Sequence, residues 1–103
     1  MPKYRVEITA TAQSDIQEIF QYIALSNQTA ATNLVLEIER QIYSLEQFHL
    51  RCSVIPESSD LDIEYRHIIY GHYRTIFRVE GSIVIILRVI HGSRLLDYKI
   101  FGK

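Results

Sequence analysis

The sequence predicts an α+β domain of two layers, with two helices packed on one face of a mainly antiparallel sheet. Three observations carry this prediction: an alternating apolar segment at the start, two successive stretches of helical apolar spacing, and three closely spaced strand-like segments joined by glycine-bearing turns. The 103 residues have room for one domain, residues 1–103, and no second. With 48% apolar and 22% charged residues the composition is that of a globular protein, which excludes collagenous, disordered and low-complexity classes.

Lys3 to Thr9 reads as a strand, because Tyr4, Val6 and Ile8 alternate with Arg5 and Glu7. Thr9 or Thr11 then offers an N-cap hydroxyl, Asp15 falls in the first turn, and Ile16, Ile19, Phe20 and Ile23 share one face. A first amphipathic helix is predicted over about residues 12–25. Ser26-Asn27-Gln28-Thr29 is a short polar break, after which Leu34, Ile38, Ile42, Leu45 and Phe48 keep helical spacing to about residue 48. So short a connection makes the helices an antiparallel hairpin.

His49 to Asp62 reads as a loop, with Pro56 and Ser58-Ser59-Asp60 breaking either regular pattern. Strands are predicted at Ile63–Tyr70, Tyr73–Val79 and Ile83–Ile90, with Gly71-His72 and Glu80-Gly81-Ser82 at the connections; together they form a β-meander. The unbroken run Ile83-Val84-Ile85-Ile86-Leu87 suggests a central strand covered on both faces. Alternation in Tyr73 to Arg78 puts Arg74, Ile76 and Arg78 on one side. The sheet face away from the helices is left for function, and its apolar part around Ile68 and Ile76 suits a bound partner segment. From Gly92 to Lys103 no period is legible.

The opening residues contain no apolar stretch of secretory length, and no run is long enough to span a membrane, so a soluble, cytoplasmic protein is expected. A single cysteine, Cys52, makes no internal disulfide, fits a reducing compartment and has no activating base near it in sequence. The formal net charge is −1, but residues 1–62 sum to −5 and residues 63–103 to +4. That asymmetry is modest for a nucleic-acid binder. His49, His67 and His72 lack zinc-ligand spacing, the isolated glycines form no phosphate loop, and Ser93, His91 and Asp97 are too local for a triad. No metal and no cofactor is called for.

The order and spacing of Tyr4-x-Val6, of Ala12-x-x-Asp15-Ile16-x-x-Ile19-x-x-Tyr22-Ile23-Ala24, of Tyr65-Arg66, of Tyr73-Arg74-x-Ile76-Phe77-Arg78-Val79 and of Ile86-Leu87-Arg88-Val89-Ile90-His91-Gly92-x-Arg94 resemble the RelE/ParE family of bacterial toxins. The likeness spans about residues 3 to 94. It implies the toxin of a type II toxin–antitoxin system, of the kind linked to plasmid stabilisation, in a hetero-oligomer with a cognate antitoxin that blocks it. The fold carries two activities in that family, which a fold alone does not choose between. RelE-like members are ribosome-dependent mRNA endonucleases, and ParE-like members inhibit DNA gyrase without cleaving nucleic acid. The first-helix run, the ending His91-Gly92-Ser93-Arg94 and the lack of any lysine between the second helix and Lys99 are closer to ParE. Leu95 and Leu96 stand where many relatives have an acidic residue, which sets the tail apart.

On the RelE-like reading, cleavage through a ribose 2′-hydroxyl needs a base, an acid and cations for the phosphorane, and the candidates are His91, Arg66, Arg94 and Tyr98, with Arg74 as a further phosphate ligand. His91 ends the central strand and Arg66 and Arg74 lie on the two before it, so one end of the sheet is expected to gather them. On the ParE-like reading, Arg66, Arg74, Arg78, Ile68, Ile76 and Arg94 instead contact gyrase or the antitoxin. Each also has a structural alternative: a hydrogen-bonded strand end for His91, an ion pair with Glu64 or Asp62 for Arg66, and a solvated sheet edge for Arg74 and Arg78. A third reading is a degenerate family member that is not toxic.

Overall fold

Strand β1 (Arg5–Ile8) opens the fold in the computed structural model, which describes residues 4–48, 52–55 and 64–92. It is followed by α1 (Ala10–Ala24), α2 (Gln28–Phe48), β2 (Ser53–Val54), β3 (Arg66–Tyr70), β4 (Tyr73–Glu80) and β5 (Ile83–His91). The sheet has the order β1-β5-β4-β3-β2. β1 pairs parallel to β5, from Arg5 opposite Ile83 to Ile8 opposite Ile86, and the other neighbours are antiparallel. A parallel pair needs a long crossover, and the helical hairpin begins it.

The helix ends follow the polar residues. Thr9 is the N-cap of α1, its hydroxyl accepting the Ala12 N–H at 3.1 Å, so the helix starts two residues before the predicted boundary. It stops where the Ser26 and Asn27 N–H groups both donate to the Ile23 carbonyl, at 3.1 and 2.9 Å. Asn27 then caps α2 by accepting the Ala30 N–H at 3.0 Å. Gly71 and Gly81 close the two hairpin turns at φ of +58° and +61°, the left-handed region that a side chain disfavours.

The main core lies between the layers: Ile16, Ile38, Ile42 and Leu45 from the helices meet Phe77, Val84, Ile86 and Val89 from β4 and β5. The step from Ile86 to Val89 departs from strict alternation because β5 carries a bulge. Ile76 pairs with Arg88 and Phe77 with Ile86, which leaves Leu87 as the extra residue. The bulge turns Val89 toward the helices, where the unbroken alternation would have put Arg88.

Two expectations for the far face need correction. Ile68 and Ile76 do not form one open apolar patch. Residues directly opposite each other share a face; Ile68 lies opposite Thr75 and Ile76 opposite His67, so the two isoleucines are on different faces. Ile76 is moreover fully covered, in a second cluster with Ile55, Tyr65 and Ile90. The segment read as a loop supplies part of that cover: β2 pairs with β3, and the Ile55 N–H donates to the Tyr65 carbonyl at 2.9 Å. β5 is an interior strand as expected, but within the run Ile83 to Leu87 only Val84 and Ile86, on the helix side, are fully buried, whereas Ile83, Ile85 and Leu87 are half-buried; on the far face β5 buries Ile90 instead.

Candidate functional site

Where β1 stops at Ile8, the outer edge of β5 loses its strand partner, and residues of α1 and its cap take over. The Thr9 N–H donates to the Ile86 carbonyl at 3.1 Å and its hydroxyl to the Leu87 carbonyl at 3.3 Å. Asp15 comes next: its Oδ2 accepts the Val89 N–H at 3.0 Å. The same carboxylate holds Arg88 through both oxygens, Nε to Oδ2 at 2.6 Å and Nη2 to Oδ1 at 2.9 Å. Only 14% of the Arg88 side chain and 11% of the Asp15 side chain is exposed. The hydrogen bond to Asp15 raises the Arg88 pKa above its ordinary value against the opposing effect of burial, so the guanidinium stays charged.

The sequence reading missed this pair. Because α1 begins at Ala10, Asp15 lies in the second turn, not the first, and its role is a lock on β5 rather than a charge at the helix terminus. A signal was present: Asp15 sits on the stripe formed by Ala12, Ile16 and Ile19, and a carboxylate on a buried helix face requires a partner.

Beside the lock opens a cleft of about 250 Å³. Asp15, Glu18, Ile19 and Tyr22 of α1 form one wall, and Tyr73 with Arg88, Val89, Ile90 and His91 form the other. His91, at the end of β5, stacks on His72 with ring centroids 5.9 Å apart and 6° between planes, and meets the Tyr73 ring edge-on at 5.6 Å. The Gly92 N–H donates to the His72 carbonyl at 2.7 Å, which ties the hairpin turn to the end of β5.

The expected gathering of His91, Arg66 and Arg74 at one sheet end does not occur. His91 lies opposite Tyr73, on the side of α1. Arg74, next along β4, turns to the far face, is 6% exposed, and puts its Nη1 3.4 Å from His67 Nδ1. Arg66 lies opposite Phe77, four residues further along β4 from Tyr73 and so about 14 Å away at roughly 3.4 Å per residue. It is also two strands from β5, and its donors are engaged: Nη1 with the Cys52 carbonyl at 2.6 Å and Nη2 with Glu64 Oε1 at 3.1 Å. Thus the Glu64 ion pair is the one formed among the described residues. Arg78 bonds Glu80 across 3.2 Å on the far face. Arg94 and Tyr98 lie outside the described residues.

Burial raises the Cys52 thiol above its ordinary pKa, and nearby Arg66 offsets this in part, so Cys52 is a poor nucleophile. Among the described residues no cluster of histidine, cysteine and acidic side chains is arranged to hold a metal ion.

Residues 6–96 match the family described as ParE toxin of type II toxin-antitoxin system, parDE. The chain belongs to the ParE toxin family. Among solved structures, this ParE-family chain is similar to one from the chromosomal ParDE toxin–antitoxin system of P. aeruginosa, with a TM-score of 0.69 and 22% identity over 88% of this chain and 98% of that one. A chain of the RelBE2 toxin–antitoxin complex from Mycobacterium tuberculosis is similar with a TM-score of 0.62 and 20% identity, covering 86% of this chain and 98% of that one. At these identities the likeness is one of fold. No curated protein sequence matches the chain.

For the ParE toxin, the described geometry contains a scaffold lock and an aromatic cleft rather than a cluster of cations around one general base. No described helix is long and apolar enough to cross a membrane.

Proposed function

We propose that this chain is the toxin half of a type II pair, neutralised by a cognate antitoxin, and that it inhibits DNA gyrase by binding. The observation that carries the choice of binding over RNA cleavage is the dispersal of His91, Arg66 and Arg74. Cleavage through a 2′-hydroxyl needs base, acid and cations within reach of one phosphate. Here Arg66 is about 14 Å along the sheet from the level of His91, at roughly 3.4 Å per residue, and Arg74 is on the other face. The absence of lysine between α2 and Lys99 supports the same reading, since a ribosome-directed nuclease gains from a strongly basic surface. The antitoxin partner is supported by membership of a family defined by paired toxins and antitoxins, and by the two similar structures, both from such systems.

The test is pulse labelling of cells minutes after induction of this chain alone, with thymidine and methionine incorporation followed in parallel. DNA synthesis is expected to fall first, and the purified chain is expected to inhibit supercoiling by gyrase. Cleavage of mRNA on ribosomes with supercoiling unchanged would sink the reading.

A further inference from the structure

We propose that the cleft between α1 and the end of β5 receives one cationic side chain, an arginine or lysine, presented by the antitoxin segment that covers the toxin; the identity of the donor rests on the antitoxin reading above.

Four features of the cleft define its occupant. Among the described residues its charge comes from two carboxylates, Asp15 and Glu18, against one guanidinium, Arg88. Asp15 and Arg88 satisfy each other in a bidentate pair, so neither invites a further ion. Glu18 is the remaining charge: it forms no ion pair among the described residues, although its field reaches Arg88, and it stands on the exposed side of α1. Among the described residues the local excess is negative, which favours a cation over a phosphate or a carboxylate.

The second feature is aromatic. Tyr22 follows Glu18 by one helical turn and is 74% exposed, a large ring held in water beside a carboxylate. Tyr73 and His91 face it across the cleft, already packed edge-to-face. Rings around an anionic rim suit a guanidinium or ammonium head, which is attracted to their faces. Third, Ile19, Val89 and Ile90 supply apolar wall for the methylene stem that such a side chain buries while its head stays at the rim. Fourth, the volume of about 250 Å³ is below the roughly 300–1,000 Å³ of small-molecule and cofactor pockets. It fits a single long side chain inserted from a chain that runs along α1.

Two measurements test this. The isotope-labelled full chain is titrated with Nα-acetyl-arginine amide and, separately, with the uncharged citrulline analogue. Resonances of Glu18, Tyr22, Tyr73 and His91 are expected to shift with arginine and about tenfold more weakly with citrulline, a ratio consistent with one cation in a partly desolvated aromatic site. Equal response to both probes, or shifts mapping elsewhere on the surface, overturns the proposal. In the second measurement the toxin is bound to the product of the neighbouring short reading frame. Glu18→Gln and Tyr22→Ala, both exposed and outside the core, are each expected to weaken that complex about tenfold, whereas Glu80→Gln at the opposite end of the sheet leaves it unchanged. An unchanged affinity in both cleft variants overturns the cleft assignment while the antitoxin reading stands. Failure of the unaltered chain to bind the product at all overturns the antitoxin reading, and with it the donor named here.

Discussion

Replacing Asp15 by alanine removes three interactions at once. The Arg88 guanidinium loses both oxygens of its counter-ion, and the Val89 N–H loses its acceptor, in a site where the two side chains are 14% and 11% exposed. Breaking a pair this buried by deleting one partner costs about 3–5 kcal/mol, because the remaining charge stays desolvated. A domain of this size has a total stability of about 5–15 kcal/mol, so the variant is left marginal. At about 4–8 °C per kcal/mol, a 3 kcal/mol loss corresponds to a fall in Tm of roughly 12–24 °C. Denaturant titration followed by circular dichroism measures the loss. The double variant Asp15→Leu with Arg88→Met separates charge from packing: it removes the stranded guanidinium and is expected to recover most of the stability, leaving the cost of the unpaired Val89 N–H, about 1–3 kcal/mol. A loss under about 1 kcal/mol for Asp15→Ala would refute the claim that this pair locks α1 to β5.

Three further outcomes are expected. Phe77→Ala, at a fully buried position between the layers, costs about 3–5 kcal/mol by the same denaturation assay. Cys52, its thiol pushed up by burial, alkylates with iodoacetamide more slowly at neutral pH than the same cysteine in the unfolded chain; since a raised pKa means less thiolate at any given pH, the difference narrows only as pH rises through the folded value. His91→Ala remains folded and, on the gyrase reading, still arrests growth when induced, whereas a folded, harmless variant would return His91 to the centre of a catalytic reading.

What was legible in the sequence was what repeats locally. Alternation in Tyr4 to Ile8, the helical spacing of Ile16 to Ile23 and of Leu34 to Leu45, and the glycines of the two turns each express a period or a conformation within a few residues, and the observed elements follow them closely. What was not legible depends on register. The bulge at Leu87 is defined only against Ile76 and Phe77 of the neighbouring strand, and it decides which residues of β5 meet the helices. The same holds for the arginines: parity along β4 correctly put Arg74, Ile76 and Arg78 on one side, but the levels of Arg66 and His91 are fixed by pairings that no single segment encodes. β2 is two residues long, too short for any period to be seen. Asp15 and Arg88 are 73 residues apart, and only the misfit of a carboxylate on an apolar stripe hinted at their meeting.

The parallel pairing of β1 with β5 also sets an order in time. Arg5 meets Ile83 and Ile8 meets Ile86, contacts among the most distant in sequence that a chain of this length makes, and the entropy of closing so long a loop is lost before they form. During synthesis the helical hairpin leaves the ribosome first, yet the sheet residues that cover its apolar stripe, Phe77, Val84, Ile86 and Val89, all follow much later. A nascent chain stopped short of residue 83 therefore has an unpartnered first strand and helices with no sheet to bury them. Completion of the described fold waits for β5, so for an interval during synthesis the helical hairpin exists without the layer it packs against.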